Sequence, residues 1–523
     1  MNNFRLKNPW QLFGYFLLLI LIVHANFLFP GKTISPDAQF ILASLEKYSS
    51  LTDYLWNLIQ LKGIDFQPLR DLSLFIDLKI FRVTGLNLSI FFNCMLWAGV
   101  CYQATKIYEE HISESDVFAL MVLSLLAVHP VVSQSINWTM ARKHILAVFF
   151  ILKATRNYLN QKSFTGYYLL SLLSAPVALL WPFWAYFIDR KRPKLKIITA
   201  FFIMLIIAGL NYAYYFVSQS FRENFAQKSG GIDSYGMLFH FAKHFRQIFF
   251  PVDLTFHYQL NPTDLYGMIG VALLFVIVLI KFRSVRNWFL FALIPLPLFL
   301  RTPNAYYDTY VLIPFVGVIL VFLSGFKDKK RLVAIPASIL VILFGAITFT
   351  SNSVWGNLIA FNQKNFDTSP SCNSARQLAI NTYLKQKKLS QDVYEFIQVN
   401  QCLNPGPEDG PINLQLARHI EALQLLVEDE VDLEFRKSRL LEMGTVNYYP
   451  LLIYASLMAK QNDPLEIERV MEILNEKFTG LELKLDYDEV YSEILPEYCT
   501  KMKLENCLRL TQRFSPQTHE PFL

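Results

Sequence analysis

The residues best equipped for chemistry lie in one stretch, residues 129–150, HPVVSQSINWTMARKHILAVFF. It joins two apolar runs. His129-Pro130 stops the first, because proline lacks an N–H and clashes with the preceding turn. A short amphipathic piece holding Gln134, Asn137 and Trp138 follows, and then the basic triplet Arg142, Lys143 and His144. Cationic groups between two membrane helices are costly unless they face water or line a site. Their donors suit an anionic oxygen, such as a phosphate on a lipid headgroup. The plainer alternative is an interfacial turn whose His129 and Arg142 merely touch lipid phosphates. Asp37 is the other notable group; it follows Pro36 just beyond the first apolar run, where an aspartate commonly caps a helix.

The elements that would position these groups are membrane helices. The chain has 523 residues, 53% of them hydrophobic, and a mean hydropathy of +0.30. Several runs approach the roughly 20 apolar residues that cross a bilayer core, the clearest over 10–28, 197–217, 310–326 and 332–349. Backbone groups in lipid must be satisfied within each segment, so the membrane part is expected to be all-α. The first run has no small-x-small cleavage site after it and reads as an uncleaved span. Residues from 351 onward carry 17 Lys+Arg against 25 Asp+Glu. The basic excess therefore belongs to the membrane loops, where it reports orientation and not nucleic-acid binding.

In order, the expectation is a transmembrane domain over 1–350 and a helical, extracytoplasmic domain over 351–523. The former contains a first outer loop with amphipathic helices over 31–85 and a second large outer loop over 218–263. About eleven membrane segments place basic loops and the N-terminus in the cytoplasm. The segment 167–188 has basic residues at both ends, with Ser174-Ala175-Pro176 near its middle. It is expected to be two short helices joined near Pro176, a break tolerated where it is buried in protein or lines a cavity. Residues 236–250 form an amphipathic helix carrying His240, Lys243, His244 and Arg246 on one broad face. Helical pairs after 351 suggest a degenerate tetratricopeptide-like array. Cys94 and Cys101 sit in an apolar helix as core residues. With an extracytoplasmic tail, Cys372–Cys402 and Cys499–Cys507 become candidate disulfides; buried free thiols are the alternative.

Four stretches together resemble the transmembrane and tetratricopeptide-repeat O-mannosyltransferases and their bacterial relatives, of the GT-C class of membrane glycosyltransferases. They are 66–93, FQPLRDLSLFIDLKIFRVTGLNLSIFFN; the stretch 129–150; 172–189, including LSAPVALLWPFWAYFID; and 307–314, YDTYVLIP. Departures occur at Gln67, Ala175 and Thr309, where the family carries cations. The resemblance implies transfer of a sugar from a polyprenyl-phosphate carrier to an extracytoplasmic protein or glycan acceptor. It puts Asp37 in the place of the general base. It gives His129 and Arg142, with Arg70, His244, Arg246 and Arg301 behind them, the task of holding the donor phosphate. Gln67, Asn137, Asp308 and Tyr310 would position substrate.

The expected setting is a bacterial inner membrane, with the C-terminal domain in the periplasm. No histidine spacing marks a metal site; no cofactor is named, and a divalent metal is left open. Two other classes remain beside the enzyme. One is a catalytically silent scaffold that binds an envelope partner through its helical tail. The other is a transporter of lipid-linked sugar, disfavoured because the spans show no internal repeat.

Overall fold

The computed structural model describes residues 8–25, 50, 52–54, 56, 66–84, 88–114, 117–188, 194–217, 242–243, 245–251, 254, 265–295, 308–356, 358–368, 370, 372, 374–375, 378–379, 393, 396–397, 399–400, 402, 432–443 and 448–477. All regular structure among these residues is helical. The chain divides into two compact units, Met1–Asn357 and Leu358–Phe522. The boundary falls a few residues beyond 350 because the last helix of the first unit runs on to Asn352 before a short 3-10 turn, Ser353–Gly356.

The first unit begins with α1 (Pro9–Val23), which Asn8 caps by accepting from the Trp10 N–H at 2.9 Å. Next come α2 (Pro68–Thr84), α3 (Ser89–His111) and α4 (Val117–Val128). A 3-10 turn, Pro130–Val132, leads to the short α5 (Ser133–Asn137), and a second 3-10 turn, Thr139–Ala141, leads to α6 (Arg142–Leu159). Then follow α7 (Thr165–Ser174), a 3-10 turn Pro176–Ala178, α8 (Trp181–Ile188) and α9 (Lys194–Val217). The unit continues with α10 (Leu265–Ile280), α11 (Phe282–Ala292), a 3-10 turn Asp308–Val311, α12 (Leu312–Gly325) and α13 (Lys330–Asn352). The segment 167–188 thus breaks at Ala175-Pro176, where the sequence placed the joint.

Helices α3, α4, α6 and α12 form the core, and Trp97, Tyr108, Ile151, Leu126 and Val316 are fully enclosed in it. α12 lies against α11 so closely that a Cβ on Gly317 would meet the Ala292 backbone at 2.8 Å. The outer helices keep large apolar side chains exposed. Examples are Phe202, Leu205 and Ile206 on α9, Val276 and Leu279 on α10, and Ile335, Ile339 and Ile342 on α13. Contiguous apolar exposure of this kind fits a lipid-facing surface.

Among the described residues, two helices are long and apolar enough to cross a membrane, Lys196–Ala213 and Leu332–Trp355. There are three if α4 and the bent continuation Pro130–Asn137 count as one span. The expected eleven are not reproduced. Pro9–Val23, Pro176–Ile188, Gly267–Ile280 and Thr309–Gly325 are apolar but shorter than a span. α3 carries Lys106, Glu109 and Glu110, and α6 carries Arg142, Lys143, Lys153 and Arg156.

In the second unit, α14 (Leu358–Thr368), α15 (Leu433–Met443), α16 (Tyr448–Lys460) and α17 (Pro464–Lys477) are described. α16 and α17 pack against each other as a hairpin, with Met458, Ile467 and Val470 fully buried and Tyr454 bonded to Glu466 at 2.9 Å. The turn uses Asn462 at a positive φ of 57°, a conformation asparagine tolerates. Cys372 and Cys402 form a disulfide with Cα atoms 5.1 Å apart. Cys499 and Cys507 lie outside the described residues.

A buried polar layer at the first helix break as candidate site

The site grows out of the backbone defect at Pro130. The carbonyl of Leu126 would accept from residue 130, but proline has no N–H to give. Trp97 fills the vacancy with its indole N–H at 2.7 Å. The Val128 carbonyl, released by the change to 3-10 geometry, accepts from the Thr348 hydroxyl at 2.7 Å. His129 caps the new turn: its Nδ1 accepts from the Val131 N–H at 3.1 Å. Nδ1 is therefore unprotonated, and Nε2 carries the proton that it donates to the Ile248 carbonyl at 3.0 Å. The neutral ring lies between Phe315 and Phe344, with centroids 4.5 and 4.6 Å away.

Arg142 opens α6 and is 1% exposed. Its Nη2 pairs with Asp77 Oδ2 at 2.6 Å and donates to the Ser89 carbonyl at 2.8 Å. Its Nε donates to Asn93 Oδ1 at 2.6 Å. The Asn93 amide donates in turn to the Ile136 carbonyl at 2.8 Å, and the Ser89 hydroxyl to Asp77 at 2.7 Å. A buried guanidinium survives desolvation only with partners of this quality. The same set ties α2, α3, α5 and α6 together.

A second network closes the layer. The Asn352 amide at the end of α13 donates to the Val23 carbonyl and to His24 Nδ1, both at 2.9 Å. Its Oδ1 accepts from Asn137 at 2.7 Å and from the Ser133 hydroxyl. The Thr309 N–H donates to Gln134 Oε1 at 3.2 Å, and the Tyr310 ring meets His144 edge-on at 5.2 Å.

Arg142 and His129 were expected to hold a lipid phosphate. Both are enclosed, with Arg142 donors on Asp77, Asn93 and Ser89 and both His129 nitrogens on backbone groups. Arg70 is 3% exposed, pairs with Asp71 at 2.6 Å and donates to Gln67 Oε1 at 2.8 Å; arginine and glutamine thus serve each other. Asn137 belongs to the Asn352 network and Tyr310 to the His144 contact. Arg246 lies on a helical stretch two residues before Ile248, the acceptor of the His129 proton. Asp308 opens a 3-10 turn, and its side chain is outside the described set. Asp37, His244 and Arg301 also lie outside the described residues. Among the described residues no three His, Cys, Asp or Glu side chains gather as a metal site requires.

Asp77, Ser89, His24 and Asn352 were not singled out from the sequence. The signal available for Asp77 was an unmatched buried cation: an arginine within an apolar run demands a carboxylate, and Asp77 interrupts the apolar string LFIDLKIF.

No known protein family, curated protein or solved structure matches the chain.

Proposed function

We propose that the protein is a membrane glycosyltransferase that uses a polyprenyl-phosphate sugar. The acceptor oxygen attacks the anomeric carbon, the bond from sugar to phosphate oxygen breaks, and the carrier leaves as polyprenyl phosphate. Asp37 takes the acceptor proton. Arg142 and His129 act as positioning residues that fix the helix break, while Gln67, Asn137, Asp308 and Tyr310 position the substrate.

One observation carries this reading. Three of the four stretches that resemble the transferase family meet in one layer: 66–93 meets 129–150 through Asn93 and Arg142, and 129–150 meets 307–314 through Gln134 and Thr309. The stretch 172–189 follows Ser171, whose hydroxyl donates to the Ala147 carbonyl on α6 at 2.8 Å. The Cys372–Cys402 disulfide supports an oxidising compartment for the second unit; the tail is read as periplasmic and the N-terminus as cytoplasmic, from the basic loops. The helical tail is read as a degenerate tetratricopeptide-like platform for the acceptor.

The test is transfer of radiolabelled hexose from polyprenyl-phosphate donors to extracytoplasmic proteins and glycans in proteoliposomes. Asp37→Asn is expected to abolish transfer and leave the thermal unfolding unchanged. A second reading, a silent scaffold for an envelope partner, draws on the saturation of Arg142 and His129 by protein groups. It predicts no transfer from any donor and an unchanged phenotype for Asp37→Asn.

A further inference from the structure

α4, α12 and α13 each meet the polar layer at one end, through Val128, the Asp308–Val311 turn and Asn352. At their opposite ends, with the end of α3, they enclose a cleft lined by Tyr108, Phe118, Val122, Phe322, Phe326 and Val333. Val333 and Asn352 stand near the two ends of α13, roughly 28 Å apart at 1.5 Å per residue. That is about the thickness of a bilayer's hydrocarbon core. The cleft holds about 20 Å3, above the roughly 10–15 Å3 that one water-sized group needs, and apolar hollows of this kind stay dry and take apolar guests. The turn from α12 to α13 borders it, held by the Lys329 N–H on the Phe326 carbonyl at 2.9 Å. Phe326 and Val333 line the cleft, and between them in the chain Lys327 and Lys329 are exposed. Leu332 and Ile335, 70% and 71% exposed, continue the apolar surface outward.

Charge at this end gathers on adjoining connections. A Cβ on Gly325 would stand 3.5 Å from Val285 and 3.9 Å from the Lys281 side chain, so 281–286 lies against the end of α12. Residues 281–286 and 327–331 together carry seven basic residues and one acid, Asp328. Lys281, Arg286, Lys327 and Lys329 are exposed. On the α3–α4 side Glu109 and Glu110 pair with Lys106 and Arg156. Glu114 and Asp116 add two acids, and the balance stays positive. We propose that the cleft takes an acyl chain of an anionic phospholipid whose headgroup rests on Lys327 and Lys329. Each lysine at a bilayer surface favours an anionic lipid by about fivefold. Charge alone would leave the lipid loose among its neighbours; the cleft fixes it by its chain. The site faces the bilayer surface opposite the polar layer, and it goes beyond the transferase reading, since it needs neither a sugar donor nor a transfer step.

The experiment uses the full chain, delipidated in neutral detergent. Native mass spectrometry and the melting temperature follow titration with dioleoyl phosphatidylglycerol or dioleoyl phosphatidylcholine. Saturable binding of phosphatidylglycerol is expected, tighter than that of phosphatidylcholine by about 25-fold for two lysines. Lys327→Gln with Lys329→Gln should erase that preference. Lys162→Gln with Lys196→Gln removes the same charge from exposed positions elsewhere in the unit and should keep it. Val333→Trp, which fills the cleft, should weaken both lipids several-fold. Equal affinity for the two lipids overturns the proposal, as does an equal loss in the two lysine pairs, which would reduce the effect to general surface charge. Unchanged binding in Val333→Trp removes the cleft from it and overturns it too. If Val333→Trp fails to fold on size exclusion, the smaller Val333→Phe decides. Glycerol 3-phosphate should not displace the lipid; displacement would mean that a free anion suffices. A dimer without bound lipid would give the cleft to a second copy and equally overturn the assignment. Sugar transfer is measured separately: its absence would leave this site standing, and its presence would not rescue it.

Discussion

Among the described residues, helices are interrupted at Pro130 and Pro176, and these two breaks are filled in opposite ways. At His129-Pro130 the gap is occupied by hydrogen-bonding and charged groups: Trp97 and Thr348 on the freed carbonyls, the Asp77–Arg142 pair, and the Asn352 network. At Ala175-Pro176 it is occupied by rings. Trp181 lies within 5.1–5.9 Å of Tyr158, Phe164, Tyr168 and Trp184, and Trp184 continues to Phe291 and Trp288. The few polar contacts there are side chains closing on nearby groups, as Tyr158 on the Ala185 carbonyl and Trp181 on Thr155. The same backbone defect therefore does not by itself make a site. A break packed with aromatic volume is a hinge made rigid; one packed with polar groups carries charge into the apolar layer, where charge is retained for a use.

The largest expected effect tests the charge at the first break. Asp77→Ala or Arg142→Met alone should destabilise the protein by about 3–5 kcal/mol, because the remaining ion is buried without its partner. The double change Asp77→Leu with Arg142→Met should recover most of that loss, measured by denaturation in detergent. A double variant as unstable as the singles would mean that the pair shapes the break in a way apolar packing cannot replace.

Next comes the aromatic break. Trp181 is fully buried, and Trp181→Ala should cost about 3–5 kcal/mol through lost volume. Trp181→Phe should cost less, since it keeps a ring and loses the bond to Thr155 and part of the indole volume. Equal losses for Ala and Phe would erase the contrast between the two regions.

A smaller effect separates them further. Trp97→Phe keeps a ring but strands the Leu126 carbonyl, and should cost about 1–3 kcal/mol. Hydrogen exchange at residues 126–132 should rise with it.

The smallest effect lies at the far end of α6. Arg156 makes two hydrogen bonds to Glu110, at 3.0 and 2.9 Å, and a third shorter one. Burial alone would raise the Glu110 carboxyl, but hydrogen bonds from Arg156 and Asn160 and the charges of Arg156 and His111 outweigh it and hold it below its ordinary value. The stability this contributes is present above the unfolded carboxylate pKa and disappears as pH falls through the depressed folded one. Arg156→Ala should cost less than about 1 kcal/mol and flatten the acid limb of a melting profile.

Both breaks were legible in the sequence because proline acts locally, on its own amide and the turn before it. The Cys372–Cys402 bond was one candidate the sequence offered, from four cysteines in an acidic tail, but its connectivity was not legible there. The role of Arg142 was not. A sequence displays a cation but not the carboxylate 65 positions earlier that satisfies it, and Asp77 sits in a mixed helix that reads as a surface element. Asn352 was hidden for a similar reason: it stands where composition turns polar, so it reads as the start of the tail, although it is the last side chain to enter the layer. Among the described residues, the helices within some apolar runs stop short of a span, as at Pro130 and Pro176, which composition alone does not display.

The Asn352 amide also imposes an order on assembly. Its bond to Asn137 joins residues 215 positions apart, and its bond to the Val23 carbonyl closes a still longer loop. At a synthesis rate of about 5–20 residues per second, about 10–40 s separate the emergence of Asn137 from that of its partner. Through that interval the early polar groups must be sheltered by the insertion machinery or by water. A nascent chain that ends just short of position 352 should therefore be an early target of membrane quality control, even though nearly all of its apolar helices have been made.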